Sequence, residues 1–101
     1  MTFSKVAKMA DIQLGDALQV EVAGREISLF NIGGELYAID DICSHEDGPL
    51  SDGYLEGHEI ECPFHGARFD IRTGAVTAPP AVVPVDSFDV RVVGNDIEVD
   101  I

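Results

Sequence analysis

Apolar and polar residues alternate along most of the chain, interrupted by turn-forming residues roughly every 8–12 positions. Residues 2–8 read as a first strand. After a turn at Leu14-Gly15-Asp16, Leu18, Val20 and Val22 face one way while Gln19 and Glu21 face the other. Ala23-Gly24 forms a hairpin turn into residues 25–30, where Ile27 and Leu29 point inward, and Gly33-Gly34 turns the chain again into residues 36–40. This pattern predicts short antiparallel strands. Near the C-terminus Phe88, Val90 and Val92 alternate with Asp89 and Arg91, Gly94-Asn95 turns, and Ile97, Val99 and Ile101 alternate with Glu98 and Asp100.

Between these two regular regions the pattern changes. Residues 48–53, Gly-Pro-Leu-Ser-Asp-Gly, are a turn-rich connector that cannot form a helix interior. Glu59-Ile60-Glu61 leads as a strand into Cys62, and Ala67, Phe69 and Ile71 then alternate with Arg68, Asp70 and Arg72 before Thr73-Gly74 turns. The prolines at 79, 80 and 84 make a stiff loop. No helix with a 3.6 period stands out, although residues 7–12 have room for one turn. The expected fold is all-β: a single domain over residues 1–101, an antiparallel sandwich or barrel with a small subdomain inserted at about 41–74.

Chemistry concentrates in that insert. Cys43-Ser44-His45 and Cys62-Pro63-Phe64-His65 hold both cysteines and two of the three histidines. Each pair is followed by a glycine, Gly48 or Gly66, as two loops aimed at one inorganic centre would be. Two thiolates and two imidazoles suit one tetrahedral zinc. They equally suit a [2Fe–2S] cluster with two Cys on one iron and two His on the other. Zinc fingers usually pair like with like, C-x2-4-C then H-x3-5-H. One Cys and one His per loop instead suits a cluster gripped from both sides.

Cys43-x-His45 and Cys62-Pro63-x-His65-Gly66 resemble the Rieske iron–sulfur signature. The resemblance implies one [2Fe–2S] cluster per chain, with Cys43, His45, Cys62 and His65 as its iron ligands. It also implies that the insert is the cluster-binding subdomain and that the proline loop covers the cluster. Respiratory and photosynthetic Rieske subunits carry an extra cysteine in each loop, forming a disulfide, and place serine and tyrosine hydroxyls near the cluster sulfurs. The matching positions are Gly48, Phe64, Ala67 and Phe69. Hydrogen bonds to sulfur stabilise the reduced state, so their loss implies a potential near the bottom of the Rieske range, roughly −150 mV rather than +300 mV. Thiolates favour ferric iron, so the iron held by the histidines is the one expected to become ferrous.

A low-potential, stand-alone domain of this kind is similar to the ferredoxin of bacterial aromatic-ring-hydroxylating dioxygenase systems. That similarity implies a soluble one-electron carrier, not an enzyme, in aromatic hydrocarbon catabolism. It would take electrons from an NAD(P)H-dependent flavin reductase and give them to a terminal oxygenase, and a monomer is the default for such a shuttle. Two other readings are the Rieske-type small subunit of a nitrite reductase or other redox complex, and a structural zinc-binding module. An oxygenase subunit itself is excluded. There is no room for a mononuclear iron domain, and two histidines are already used.

Charge narrows the partners. The formal net charge is −13, and eight acidic residues lie between Asp40 and Glu61 with no Lys or Arg among them. Nucleic acid and anionic membranes both want a basic footprint, so both are disfavoured, and a basic protein partner is favoured. No export signal and no apolar run of ~20 residues is present, which points to the cytoplasm. Glu46, Asp47 and Leu50 flank the ligands as candidate docking residues. His58 is expected at a surface turn, and Arg68 and Arg72 in a local ion-pair face with Asp70.

Overall fold

The computed structural model describes residues 2–43, 48–64 and 66–101. Its strands in chain order are β1 (Phe3–Lys8), β2 (Ala17–Val22), β3 (Arg25–Ile32), β4 (Glu35–Asp40), β5 (Tyr54–Glu56), β6 (Glu59–Glu61), β7 (Arg68–Asp70), β8 (Val76–Ala78), β9 (Ser87–Phe88), β10 (Val90–Val93) and β11 (Asp96–Asp100). Every pairing among them is antiparallel. Three sheets result, ordered β1-β11-β10, β2-β3-β4-β9 and β5-β6-β7-β8. Among the described residues the only helical pieces are single 3-10 turns at Met9–Asp11 and Leu50–Asp52. The chain is all-β, as its alternation predicts.

Local chemistry accounts for the turns. The β2–β3 hairpin turns on Ala23 (φ 53°) and Gly24 (φ 79°), both left-handed. Two such residues give a turn whose twist matches that of the flanking strands. Glycine takes this conformation freely, whereas alanine at 23 does so at a cost of roughly 1–2 kcal/mol.

β3 and β4 form a wall between two apolar cores. Ile27, Leu29 and Ala38 face one, together with Ile97, Val99 and Ala7. Phe30 and Ile39 face the other, where they meet Cys43, Cys62, Leu50, Ile60, Phe69 and Ile71. Burial of each large side chain such as Phe30 or Phe69 contributes on the order of 1.5–3 kcal/mol. The sequence pattern predicts one inward face for β3, but Ile27 to Asn31 are buried without a break. The polar members of that run are satisfied internally. Ser28 Oγ donates to the Ile39 and Asp40 carbonyls (3.3 and 3.4 Å), and Asn31 Oδ1 accepts the Gly34 amide at 3.1 Å. Left unpaired, either would cost about 1–3 kcal/mol.

The third sheet lies within the segment between β4 and β9. It holds two strands that periodicity does not announce, β5 and β8, each three residues long and flanked by a turn-rich or proline-rich stretch that hides its alternation. The segment leaves and rejoins the rest of the molecule at one place. The Asp40 amide donates to the Asp86 carbonyl and the Asp86 amide to Asp40 Oδ2, both at 3.0 Å. Arg25 bridges the two carboxylates at 2.7 and 3.1 Å, which holds its guanidinium above the ordinary arginine range, Asp86 contributing most.

Candidate metal centre

Two loops at one end of the third sheet share one design. The Cys43 amide donates to the Gly48 carbonyl at 3.0 Å, enclosing residues 44–47. The Cys62 amide donates to the Ala67 carbonyl at 2.7 Å, enclosing residues 63–66. Below the first loop Ile42 bridges Pro49, and below the second Glu61 pairs with Arg68. Each cysteine is thus the last rung before a four-residue loop. Backbone pairing fixes the direction in which its side chain leaves.

Both side chains go to the same place. Cys43 and Cys62 are 3% and 2% exposed, neither is in a disulfide, and both belong to the Phe30–Phe69 core. The loops face each other closely. A Cβ on Gly48 would stand 3.2 Å from Cys62 Sγ and 2.8 Å from Phe64 Cδ2. A second strut lies below. A Cβ on Gly53 would land on the Glu61 carbonyl oxygen, so the chain leaving the first loop presses its bare backbone against the strand entering the second. Two buried sulfurs outside any disulfide, one from each opposed loop, fit an inorganic group that takes a thiolate from either side. The expected partners His45 and His65 lie outside the described residues, as do Glu46 and Asp47.

The proline loop packs against this centre. Ala81 and Val85 are buried in the same core as the two cysteines, and the Val85 amide donates to the Gly74 carbonyl at 3.0 Å. Val82 and Val83 stand out from it, 86% and 56% exposed, and Phe64 is 59% exposed.

Leu50 is not a docking residue. It is fully buried in the cysteine core, because the 3-10 turn at Leu50–Asp52 points it inward. The run of acids is also less bare than its sequence suggests. Arg25 reaches Asp40, and Arg68 sits among Glu61, Glu56 and Glu59 at 3.0, 3.4 and 3.5 Å. Glu61 contributes most to holding the Arg68 guanidinium above its ordinary range. Arg72 pairs with Asp70 at 2.9 Å, and that bond is the largest cause holding the Asp70 carboxyl below the usual aspartate value. His58 occupies the β5–β6 turn and meets Tyr37 edge-on, with ring centroids 5.6 Å apart. That contact ties the third sheet to β4.

Asp41 had no distinguishing mark in the sequence beyond membership of the acidic run. Its side chain is nevertheless buried, while the apolar Ile42 beside it is 36% exposed. This inversion of the expected pattern two residues before Cys43 is visible only in the folded chain.

The family model for the Rieske [2Fe–2S] domain matches residues 2–89. The ferredoxin component of the naphthalene 1,2-dioxygenase system of Pseudomonas putida is 41% identical over 92% of this chain and 89% of its own length. Among solved structures, the ferredoxin of carbazole 1,9a-dioxygenase from Nocardioides aromaticivorans IC177 superposes with a TM-score of 0.93. It is 40% identical and covers 98% of this chain and 97% of that one. A ferredoxin in a complex of reduced oxygenase and oxidized ferredoxin of carbazole 1,9a-dioxygenase superposes at 0.90, with 36% identity and coverage of 96% and 91%.

Proposed function

The chain belongs to the Rieske [2Fe–2S] domain family, and from that premise we propose that it is the one-electron ferredoxin of an aromatic-ring-hydroxylating dioxygenase system, with Cys43, His45, Cys62 and His65 holding its cluster. The observation that carries the ligand assignment is the pair of opposed loops, each opening on a buried cysteine and closed by the same backbone bond. In this reading residues 1–101 form one domain, and about 41–74 form its cluster-binding part. The third sheet runs on a few residues past that limit, to Ala78.

The bound cluster supplies a group that accepts and releases a single electron. The protein's own residues supply the surroundings. Phe30, Ile39, Phe69 and Ile71 keep water from the sulfur side, and Ala81 and Val85 close the core from the proline loop. Ala67 and Phe69 are fully buried and bring no side-chain hydroxyl to the sulfurs, which favours a low potential. His45 and His65 would hold the iron that takes up the electron, since neutral imidazoles favour the ferrous state more than thiolates do. No side chain is asked to act as acid, base or nucleophile.

The partners follow from the same reading. A terminal oxygenase receives the electrons, a role supported by the complex of oxygenase and ferredoxin in the carbazole dioxygenase of a relative. An NAD(P)H-dependent flavin reductase is proposed as their donor. The net charge of −13 suits basic docking faces on both. No helix among the described residues is long and apolar enough to cross a membrane. We place the protein in the cytoplasm as a monomer.

The deciding experiment is EPR of the purified protein after dithionite reduction, followed by turnover with the reductase and oxygenase of a dioxygenase system. A rhombic signal of low average g, with product formed only when this chain is added, is the expected result. A colourless protein containing zinc would overturn the reading.

A further inference from the structure

We propose that Asp41 is the positioning residue of the first ligand loop, and that its buried charge holds the potential of the bound cluster low. The proposal rests on the cluster assignment above. Every polar atom of Asp41 is engaged, two with the chain that leaves the loop and two with strands β2 and β3. Its amide donates to the Glu26 carbonyl at 3.0 Å, and its carbonyl accepts the Leu50 amide at 2.6 Å. Oδ1 accepts the Ser51 amide at 2.8 Å, and Oδ2 accepts Gln19 Nε2 from β2. One residue therefore joins β2, β3 and the 3-10 turn at Leu50–Asp52 directly beneath Cys43.

The arrangement does two things. It fixes both ends of the loop, since residue 41 enters it and residues 50 and 51 leave it. It also places a carboxylate that accepts on both oxygens at 0% exposure, two residues from a cysteine whose core it adjoins. Water screens an exposed charge, but this one lies where the effective dielectric is low. A fixed negative charge disfavours adding another electron nearby. The exposed Asp52, on the same turn, is the contrasting case.

The test is the midpoint potential of four proteins: the parent, Asp41→Asn, Asp52→Asn and Gln19→Leu. Asp41→Asn keeps the shape and removes the charge, and is expected to favour reduction about tenfold, an upward shift of ~59 mV for one electron. Asp52→Asn is expected to stay near the parent. Gln19 is itself exposed, so its replacement opens no core cavity; it removes the donor to Oδ2, leaves the carboxylate less compensated and is expected to shift the potential the other way. The proposal is overturned if Asp41→Asn titrates with the parent, if Asp52→Asn moves as far, or if Gln19→Leu shifts upward or not at all. A parent protein without the rhombic EPR signal would instead sink the cluster assignment on which the proposal rests.

Discussion

The ring of Phe64 lies over the backbone of Gly48, so that a Cβ on residue 48 would stand 2.8 Å from Phe64 Cδ2. These are the positions at which respiratory Rieske subunits carry their paired cysteines, and here an exposed aromatic ring and a missing side chain bring the loops together instead. Gly48→Ala is expected to force the ring outward at a cost of about 1 kcal/mol. The same change made in a Phe64→Ala background is expected to cost less, a coupling of roughly 0.5 kcal/mol or more. Thermal loss of the visible cluster absorbance reads both, at roughly 4–8 °C per kcal/mol for a domain of this size.

Glycines at three sites are predicted to differ for reasons of space. At Gly53 a Cβ meets the Glu61 backbone carbonyl, and at Gly74 (φ +81°) it meets the Val85 carbonyl. Backbone cannot step aside as a side chain can. Alanine at either site is expected to cost about 3 kcal/mol or more and to depress iron content in the purified protein. Gly57 has a left-handed φ of +59° but open space around it, so Gly57→Ala is expected to cost only about 1–2 kcal/mol and to load iron normally.

Asp70 makes stability depend on pH in one direction. Its hydrogen bond to Arg72 lowers its folded-state pKa below the unfolded value, so the unfolded chain takes up the proton first as pH falls. The contribution is complete above the ordinary aspartate pKa of ~3.9 and is lost as pH falls through the lower folded value. Asp70→Asn is therefore expected to be less stable than the parent at neutral pH and to converge with it under acid. Half-exposed Arg72 keeps the gap small. Far-UV circular dichroism during thermal unfolding across that pH range measures it.

Ala67 and Phe69 both lie fully buried beside the cysteines. Ala67→Ser and Phe69→Tyr restore a hydroxyl at each of the positions where high-potential Rieske proteins have one. Each is expected to raise the midpoint potential, leaving it well short of the ~+300 mV upper end of the Rieske range. Protein-film voltammetry reads the shift, and an unchanged or lower potential would count against hydroxyl loss as its cause.

With a basic partner, electron transfer is expected to slow steadily as salt rises through ~0.1 M, where the Debye length shrinks to about 10 Å. Stopped-flow reduction by the proposed flavin reductase at several ionic strengths tests this. A rate indifferent to salt would show that charge does not guide docking.

Much of this was legible in the sequence because the relevant signals are local. The hairpins around Gly24 and Gly34 follow from alternation and turn chemistry, and the two Cys–His steps mark their loops without any structure. What was hidden depends on tertiary neighbours. Ser28 made β3 look half-exposed, whereas the face it shares with Phe30 is covered by the cysteine core. Leu50 looks like an exposed loop residue until the 3-10 turn rotates it inward. Arg25 and Arg68 are remote in sequence from several of the carboxylates they reach, so the acid run seemed barer than it is.

Residues 40 and 86 lie side by side, each donating its amide to the other and both held by Arg25. Everything between them begins and ends at a single threshold in the surrounding sheets. A segment with adjoining ends can change length, loops or metal ligands without altering the register of the strands outside it. The segment that carries the third sheet is therefore built as an exchangeable cartridge, and the outer strands are its socket.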